Sequence, residues 1–285
     1  MSCAQPLAGD SLPLQQDRPV LRVQGGLAHP DSDVLIDEVP VAMVYNGISH
    51  AVLLASPGDL ADFALGFSLS EGILQQPGEL YDCELWHGSA GIELRLEISS
   101  ARFAALKDRR RSLSGRTGCG LCGVDSLDAV ARAIPPLPLR PTLHVDSVAR
   151  ALAALPAQQP LHAATGAAHG AAYCRADGSI VLVREDVGRH NALDKLIGAL
   201  RRQRIACHDG FVLVSSRASY EMVQKTALAG IPALVAVSAP TAYAANLAAH
   251  CGLLLAGFAR PGRLVAYTET GRLHTAPAME NDYVD

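Results

Sequence analysis

Four short apolar runs in the second half of the chain constrain the fold more than any other feature of the sequence. They show little alternation between apolar and polar residues, and they read SIVLVRE, FVLVSS, PALVAVSA and GLLLAGF. Such runs are typical of strands that are buried on both faces. Helical patterns separate them, and these read NALDKLIGAL, SYEMVQKTALAG and TAYAANLAAH. Strand alternating with helix predicts a mostly parallel, three-layer α/β sheet, with LVAYT (264–268) as a candidate edge strand.

The first half of the chain has a different pattern, which predicts an α+β domain. Two apolar runs flank Asn46-Gly47, a dipeptide that favours a tight hairpin because both residues tolerate positive φ. A helix is predicted to follow, with Ser56 as its cap and Gly72 as its stop. Residues 92–98 alternate and predict a strand. The apolar face of the helix is predicted to contain Leu60, Phe63, Ala64 and Phe67.

Composition and charge exclude several classes of protein. The 285 residues are 49% hydrophobic and 18% charged, which is typical of a globular protein. The formal net charge of −4 argues against a nucleic-acid partner. No stretch approaches the roughly 20 apolar residues of a membrane helix. The first 20 residues lack the basic start and apolar block of a secretory signal, so we expect a loose tail there.

The cysteines indicate a reducing, cytoplasmic setting. Their number is odd and only one pair is close in sequence, so they do not form a disulfide framework. The seven are Cys3, Cys83, Cys119, Cys122, Cys174, Cys207 and Cys251.

Polar segments follow each predicted strand of the second half. Ligands of an α/β sheet bind beyond the carboxyl ends of its strands, so these segments are expected to meet at one edge. Helix starts near Asn191, Ser219 and Thr241, together with four arginines, suit phosphates or another anion there. No glycine pattern matches a phosphate loop or a dinucleotide fingerprint. The segments are EDVGRHN (185–191), SSRAS (215–219), SAPT (238–241) and GFARPGR (257–263), and the arginines are Arg189, Arg217, Arg260 and Arg263.

The close cysteine pair lies in RTGCGLCG (116–123), where Cys119 and Cys122 are each followed by a glycine. A structural zinc site needs four ligands, and the chain has no second close pair. A thioredoxin-like pair usually follows an apolar strand, whereas a basic stretch (102–116) precedes this one. The remaining interpretation is a reactive, exposed thiolate, because nearby arginines and the start of a predicted helix (124–134) would lower its pKa. The zinc and disulfide-exchange interpretations stay as weaker alternatives.

Five motifs in this order resemble the FdhD family: RTGCGLCG, EDVGRHNALDK, SSRASYEMVQK, SAPT and GFARPGR. The earlier segments NG, SPGDLADFALGF and EGIL also fit, so the resemblance covers roughly residues 35–270. One departure is TGAAH (165–169), in which Ala167 stands where relatives often have glycine while His169 is retained.

The resemblance implies a function and a set of site residues. Members of the family accept sulfur from a cysteine desulfurase as a persulfide and pass it to the molybdenum cofactor, bis(molybdopterin guanine dinucleotide), for formate dehydrogenase. Carried over by position, Cys119 is the persulfide cysteine and Cys122 is a second cysteine that relays or resolves sulfur. Arginines of the implied cofactor loop suit phosphates, and a guanine could stack on Phe258, so GDP is a candidate analogue. That loop comprises Phe258, Ala259, Arg260, Pro261, Gly262 and Arg263.

The resemblance also implies a fold and partners. We expect a three-layer α/β domain resembling the cytidine deaminase fold, with a smaller N-terminal α+β domain. We expect a homodimer that meets a cysteine desulfurase and the catalytic subunit of formate dehydrogenase, with no metal site, nucleic acid or membrane. The predicted parts are a disordered tail (1–20), an α+β domain (21–115), a CxxC loop with a helix and linker (116–141) and an α/β cofactor-binding domain (142–285).

Two rival functions remain open from the sequence. The first is a binding module that shelters the cofactor without sulfur chemistry. The second is a thiol–disulfide oxidoreductase that uses the Cys119–Cys122 pair.

Overall fold

The computed structural model describes residues 12–114, 134, 136–137 and 142–275, with the backbone alone for 109–114, and these residues form two compact units. Unit 1 contains 12–114, 134, 159–170 and 184–205, and unit 2 contains 136–137, 142–158, 171–183 and 206–275. The units therefore do not follow the predicted boundary at residue 142, because two later segments belong to unit 1. Unit 1 is also the larger of the two among the described residues, whereas the smaller domain was expected at the N-terminus.

The described residues form a mixed α/β structure. Its helices are α1 (Leu60–Ser70), α2 (Ser100–Ser114), α3 (Val145–Ala154), α4 (Pro160–Thr165), α5 (Arg189–Arg202), α6 (Tyr220–Leu228) and α7 (Ala242–Cys251). Its strands are β1 (Gln15–Gln24), β2 (Leu27–Ile36), β3 (Val39–Tyr45), β4 (Ile48–Ala55), β5 (Leu80–Gly88), β6 (Gly91–Ile98), β7 (Leu143–His144), β8 (His169–Cys174), β9 (Ile180–Asp186), β10 (Phe211–Val214), β11 (Ala233–Ala236), β12 (Leu254–Arg260), β13 (Arg263–Ala266) and β14 (Leu273–His274). None of the helices seen in these ranges is long and apolar enough to cross a membrane.

Unit 1 is built on a four-stranded sheet with the order β4-β3-β6-β5. The predicted hairpin is confirmed, since β3 and β4 flank Asn46 and Gly47, with φ of 45° and 79°. The predicted strand at 92–98 is confirmed as β6, and Gly72, with φ of 62°, follows α1 as expected. The inner face of this sheet packs with α1 in a core that includes Val41, Leu94, Leu96 and Phe63.

Two predictions for unit 1 are wrong. Residues 15–20 of the expected tail form part of β1, which pairs with β2 around a Gly25-Gly26 turn. Ser56 does not cap α1, because Asp59 occupies the N-cap position in a left-handed conformation. The Ser56 hydroxyl instead accepts a hydrogen bond from the amide of Val187, 131 residues away along the chain.

Helices α1 and α5 touch at the level of their backbones. A Cβ atom added to Gly66 would lie 1.7 Å from the carbonyl oxygen of Asp194, and one added to Gly198 would lie 1.9 Å from the carbonyl oxygen of Asp62. Real Cβ atoms do not approach other atoms this closely, so these two positions accept only glycine without a shift of one helix.

Unit 2 is built on a six-stranded sheet with the order β13-β12-β11-β10-β8-β9. The prediction of a mostly parallel sheet is wrong, because only β10–β11 and β11–β12 are paired in parallel among the registers observed. Strand β8 runs antiparallel to β10, and β13 runs antiparallel to β12. The edge strand expected near LVAYT is confirmed as β13. The likeness of this sheet to a cytidine deaminase stays a prediction.

We expect Gly66→Ala to lower the free energy of unfolding by more than about 3 kcal/mol, because the added methyl group meets backbone that cannot rotate away. Chemical denaturation of the purified protein measures this change. The matched control is Gly78→Ala, where an added Cβ atom has nothing within 4 Å and the expected change is within about 0.5 kcal/mol. Equal stabilities of the two variants would contradict the backbone contact between α1 and α5.

Candidate functional site

The structure describes the predicted cofactor loop, whereas the predicted cysteine pair lies outside the described residues. Cys119 and Cys122, together with most of the predicted helix at 124–134, lie outside them. The six residues of the predicted cofactor loop all lie in unit 2, around the turn between β12 and β13. In the part of the chain that the structure describes, no group of three His, Cys, Asp or Glu side chains could hold a metal ion.

The predicted loop is the end of a β-hairpin. Arg260 pairs with Arg263 across a two-residue turn of Pro261 and Gly262. Proline fixes φ for the first central position of such a turn, and Gly262, with φ of 75°, supplies the positive φ that the second requires. The sequence PG thus places two arginine side chains on paired positions beside a tight turn, and both residues are exposed.

Phe258 lies in a bulge of β12, where the register with β13 shifts between Gly257 and Arg260. Its φ is 50°, which is uncommon for an aromatic residue, and its amide donates to the carbonyl oxygen of Ser238. The bulge leaves Phe258 44% exposed, while the next residue, Ala259, is buried. An exposed aromatic ring is therefore held beside the turn that carries the two arginines.

Arg260 has a structural role as well as a charge. Its Nη1 donates to the carbonyl oxygens of Val237 at 2.6 Å and Ala259 at 2.8 Å. The bond to Val237 ties the hairpin to the segment that follows β11. The side chain of Arg263 makes no hydrogen bond or ion pair within the described ranges, and only its backbone pairs with Arg260. The side chain of Arg263 can therefore bind an anion without breaking a bond that holds the hairpin.

The loops after β10 and β11 continue the parallel pairing beyond the strands. Ser238 donates its amide to Ser216, and the amide of Ala218 donates to the carbonyl oxygen of Ala239. The amide of Thr241 donates to the carbonyl oxygen of Ala218, and a parallel bridge joins Ala218 to Pro240. Together with the bond from Phe258 to Ser238, these contacts hold three of the four predicted polar segments at one end of the sheet.

Two helices of unit 2 begin at these loops, as predicted. Ser219 is the N-cap of α6, and Thr241 is the N-cap of α7, where its hydroxyl accepts from the amide of Ala244. The positive ends of both helices and the exposed side chain of Arg217 therefore belong to the same end of the sheet as the hairpin. Arg217 forms no ion pair with a carboxylate within the described ranges, so an anion would not have to displace one.

Sequence reasoning missed an aromatic pair at these helix starts. The rings of Tyr220 and Tyr243 stack with centroids 4.5 Å apart and planes 18° from parallel, and Tyr243 is 54% exposed. The residues are 23 positions apart, so no local pattern brings them together. Both tyrosines lie at the first or second residue of a helix that follows one of two adjacent parallel strands. This shared position is the feature of the sequence that could have predicted the pair.

The fourth predicted polar segment (185–191) belongs to unit 1, where it has a structural role. Asp186 and Lys195 form a fully buried ion pair with 2.6 Å between Oδ2 and Nζ. Asp186 also accepts from the amides of Ser56 and Gly188 and from the side chain of Asn191, and Lys195 donates to the carbonyl oxygen of Ser56. Buried charges persist only when they are paired and hydrogen-bonded in this way.

His169 lies near this segment in unit 1. Its burial and the positive charge of Arg189 lower its pKa, so the imidazole is neutral at pH 7. The Nδ1 of His162 donates to the carbonyl oxygen of Ala168 at 2.8 Å, beside the Ala167 that departs from the expected glycine. Ala167 itself donates its amide to the hydroxyl of Thr165.

Comparison with known proteins identifies the family. The sequence profile of the FdhD/NarQ family matches residues 36–274. The chain belongs to the FdhD/NarQ family. It is 55% identical over 260 residues to the sulfur carrier protein FdhD of Variovorax paradoxus, with 91% of this chain and 94% of the relative covered. It is 52% identical over 269 residues to the sulfur carrier protein FdhD of Bordetella petrii, with 92% and 95% covered.

The fold of this FdhD/NarQ protein is similar to one determined by crystallography. The relative is a putative formate dehydrogenase accessory protein from Desulfotalea psychrophila, with a TM-score of 0.73 and 22% sequence identity. The similarity covers 92% of this chain and 100% of the other. It supports the mixed α/β fold described above.

Proposed function

We propose that the protein is a sulfur carrier for the maturation of formate dehydrogenase, as the names of its relatives suggest. Cys119 accepts sulfur from a cysteine desulfurase as a persulfide. The terminal sulfur then passes to bis(molybdopterin guanine dinucleotide), the substrate, and Cys119 is left as a thiolate. The catalytic subunit of formate dehydrogenase receives the sulfurated cofactor. The observation that carries this proposal is the cationic, aromatic hairpin at residues 258–263, in a family whose named members carry sulfur.

The state of the four cysteines that the structure describes supports Cys119 and Cys122 as the sulfur-carrying residues. Burial raises the pKa of Cys83 to about 11 and the pKa of Cys174 to about 12. Burial also raises the pKa of Cys251, and Cys207 is buried. A thiol attacks as the thiolate, so these four described cysteines are poor nucleophiles near neutral pH.

The hairpin supports the nucleotide end of the proposal. A nucleoside diphosphate has an aromatic base and an anionic diphosphate, and the hairpin presents an exposed phenylalanine ring beside two exposed arginines. Arginine binds phosphate oxygens with strong, charge-assisted hydrogen bonds. The starts of α6 and α7 at the same end of the sheet favour negative charge for the same electrostatic reason. GDP is therefore a suitable probe for the cofactor.

We also propose a cellular location and an oligomeric state. We place the protein in the cytoplasm, where a reducing environment keeps its cysteines free, and we expect it to act as a homodimer.

The rival functions predict different chemistry. A cofactor-sheltering module would act without the thiol of Cys119, and an oxidoreductase would cycle a Cys119–Cys122 disulfide.

We expect Cys119→Ser to abolish activation of the client dehydrogenase while the protein remains folded, because the change removes the sulfur nucleophile and little volume. The measurement is formate dehydrogenase activity in a strain that lacks its own copy of this protein and is complemented with the variant. Cys122→Ser should also lower this activity.

Cys83→Ser is the matched control for this experiment, since burial keeps the thiol of Cys83 protonated. It should support the same dehydrogenase activity as the unchanged protein. Full activity with Cys119→Ser would refute the persulfide role and favour the cofactor-sheltering module.

We expect Arg263→Ala to weaken GDP binding by about tenfold or more, because one charge-assisted hydrogen bond contributes roughly 1.5–3 kcal/mol. Calorimetry with the purified protein measures the affinity. Arg260→Ala should weaken binding as well, and it should also lower thermal stability, since the Arg260 side chain holds the hairpin to Val237.

The control for charge alone is Arg175→Ala, an exposed arginine of the same unit in the turn between β8 and β9. It should bind GDP as the unchanged protein does. If Arg263→Ala and Arg175→Ala have the same affinity, the hairpin is not the nucleotide site.

A further inference from the structure

One side of the four-stranded sheet of unit 1 packs with α1 in the core, and the other side, called the outer face here, is exposed. Side chains alternate between the two sides along each strand, so the neighbours of the core residues lie on the outer face. Each strand contributes side chains to the core, including Val41 of β3, Leu53 of β4, Leu85 of β5 and Leu94 of β6.

The half of the outer face on β3 and β4 is apolar. Pro40 pairs with Leu54, and Ala42 pairs with Val52. Val52 is 65% exposed and Leu54 is 56% exposed, so neither is covered by any part of the chain that the structure describes. None of these four residues is charged. Neighbouring exposed apolar side chains of this kind mark binding surfaces more often than single exposed ones do.

The other half of the outer face, on β5 and β6, is acidic. Four carboxylates and one arginine of these two strands line a single cavity of about 480 Å³. Residues that pair across two antiparallel strands lie on the same side of the sheet. The pairs on this half are Asp82–Glu97, Glu84–Arg95 and Trp86–Glu93.

The carboxylates of this half outnumber the cations available to them. Arg95 is already paired with Glu93, at 3.0 Å between Nε and Oε2. Asp82, Glu84 and Glu97 form no ion pair with a basic side chain within the described ranges. Asp82 lies directly opposite Glu97, and like charges at directly opposed positions destabilise a sheet. A cationic ligand over this cavity would remove that repulsion.

We propose that the outer face binds an amphipathic helix of a partner protein. The apolar stripe of that helix packs on β3 and β4, and lysines or arginines beside the stripe pair with the carboxylates of β5 and β6. Such a helix matches both halves of the face at once. Nucleic acids and anionic membranes do not match it, because the carboxylates repel phosphate groups. The outer face of a second copy of this chain would bring carboxylates against carboxylates.

The dimensions of the outer face agree with one helix. Neighbouring strands are about 4.8 Å apart, so β4 and β5, the two outermost strands, are about 14 Å apart. A helix with its side chains is about 10–12 Å wide, so one that lies along the middle of the face reaches both halves. Strands of seven to nine residues span about 25 Å, which is the length of about 16 helical residues.

The test uses the full-length protein and a synthetic 18-residue peptide that has a leucine stripe beside a lysine stripe at helical spacing. We expect binding with a dissociation constant in the micromolar range, measured by fluorescence anisotropy. The double variant Glu84→Gln with Glu97→Gln should weaken binding about threefold or more, because two charge pairs are lost. The matched control is Asp33→Asn with Asp146→Asn, which removes the same charge from two exposed positions away from the face and should bind the peptide as the unchanged protein does.

A second pair of variants tests the apolar half. Leu54→Ala should weaken binding about tenfold or more, because most of a buried leucine side chain is lost from the contact. Leu27→Ala is the matched control, since Leu27 is 77% exposed at the β1–β2 turn, and it should leave the dissociation constant unchanged. Thermal melting checks that all four variants fold.

A cross-link and a second peptide locate the contact. A photo-cross-linking residue in the leucine stripe should react with residues 40–54, and the same peptide with glutamate in place of lysine should not bind. The proposal is overturned by no binding at about 1 mM peptide, by equal losses in the variants and their controls, or by a cross-link elsewhere. Competition by anionic phospholipid vesicles would instead identify a membrane surface. Cys119→Ser should bind the peptide normally, so the result does not depend on sulfur transfer.

Discussion

The parallel register of β10, β11 and β12 is the constraint on which the proposed cofactor edge depends. Because these strands run in the same direction, the segments after them emerge at one end of the sheet. Backbone hydrogen bonds continue past the strands and join Ser216 to Ser238, Ala218 to Ala239 and Ser238 to Phe258. These bonds therefore hold the three segments in fixed positions relative to one another. The hairpin that carries Arg260 and Arg263 gains its position from the main-chain bond of Phe258 to Ser238 and from the side-chain bond of Arg260 to Val237.

The motif EDVGRHN shows how one sequence pattern can have a different role from the one its residue types suggest. Its acidic, basic and glycine residues were predicted to belong to an anion-binding edge. In unit 1, Asp186 is instead the centre of a buried network with Lys195, Ser56, Gly188 and Asn191. Removing one partner of such a pair leaves an uncompensated charge and typically costs about 3–5 kcal/mol. The network holds the start of α5, and the glycine contact between α1 and α5 lies further along the same helix.

Features set by local chemistry could be predicted from the sequence. Asn46-Gly47 correctly predicted the β3–β4 turn, Thr241 correctly predicted a helix cap, and the apolar runs correctly predicted β9 to β12.

Features set by distant contacts could not be predicted from the sequence. Strand β8 was missed because its sequence HGAAYC has no β-branched residue, and its strand character depends on pairing with β10. Ser56 was wrongly predicted to cap α1. Its bond with Val187 spans 131 residues, so no local pattern reveals it. The positive φ of Phe258 and the stacking of Tyr220 on Tyr243 likewise depend on the tertiary structure. The reactive cysteine pair and the anion-binding arginines were predicted from the residues themselves. The family resemblance added the persulfide and cofactor-binding roles, which stay predictions.

Intact-mass spectrometry with peptide mapping can show whether Cys119 carries the sulfur. The purified protein is incubated with a cysteine desulfurase and free cysteine under anaerobic conditions. We expect one added sulfur atom on the peptide that contains Cys119, and we expect a thiol reductant to remove it. Cys119 does not carry the sulfur if no sulfur is added, if the sulfur is on a buried cysteine such as Cys174, or if the product is only a disulfide between Cys119 and Cys122.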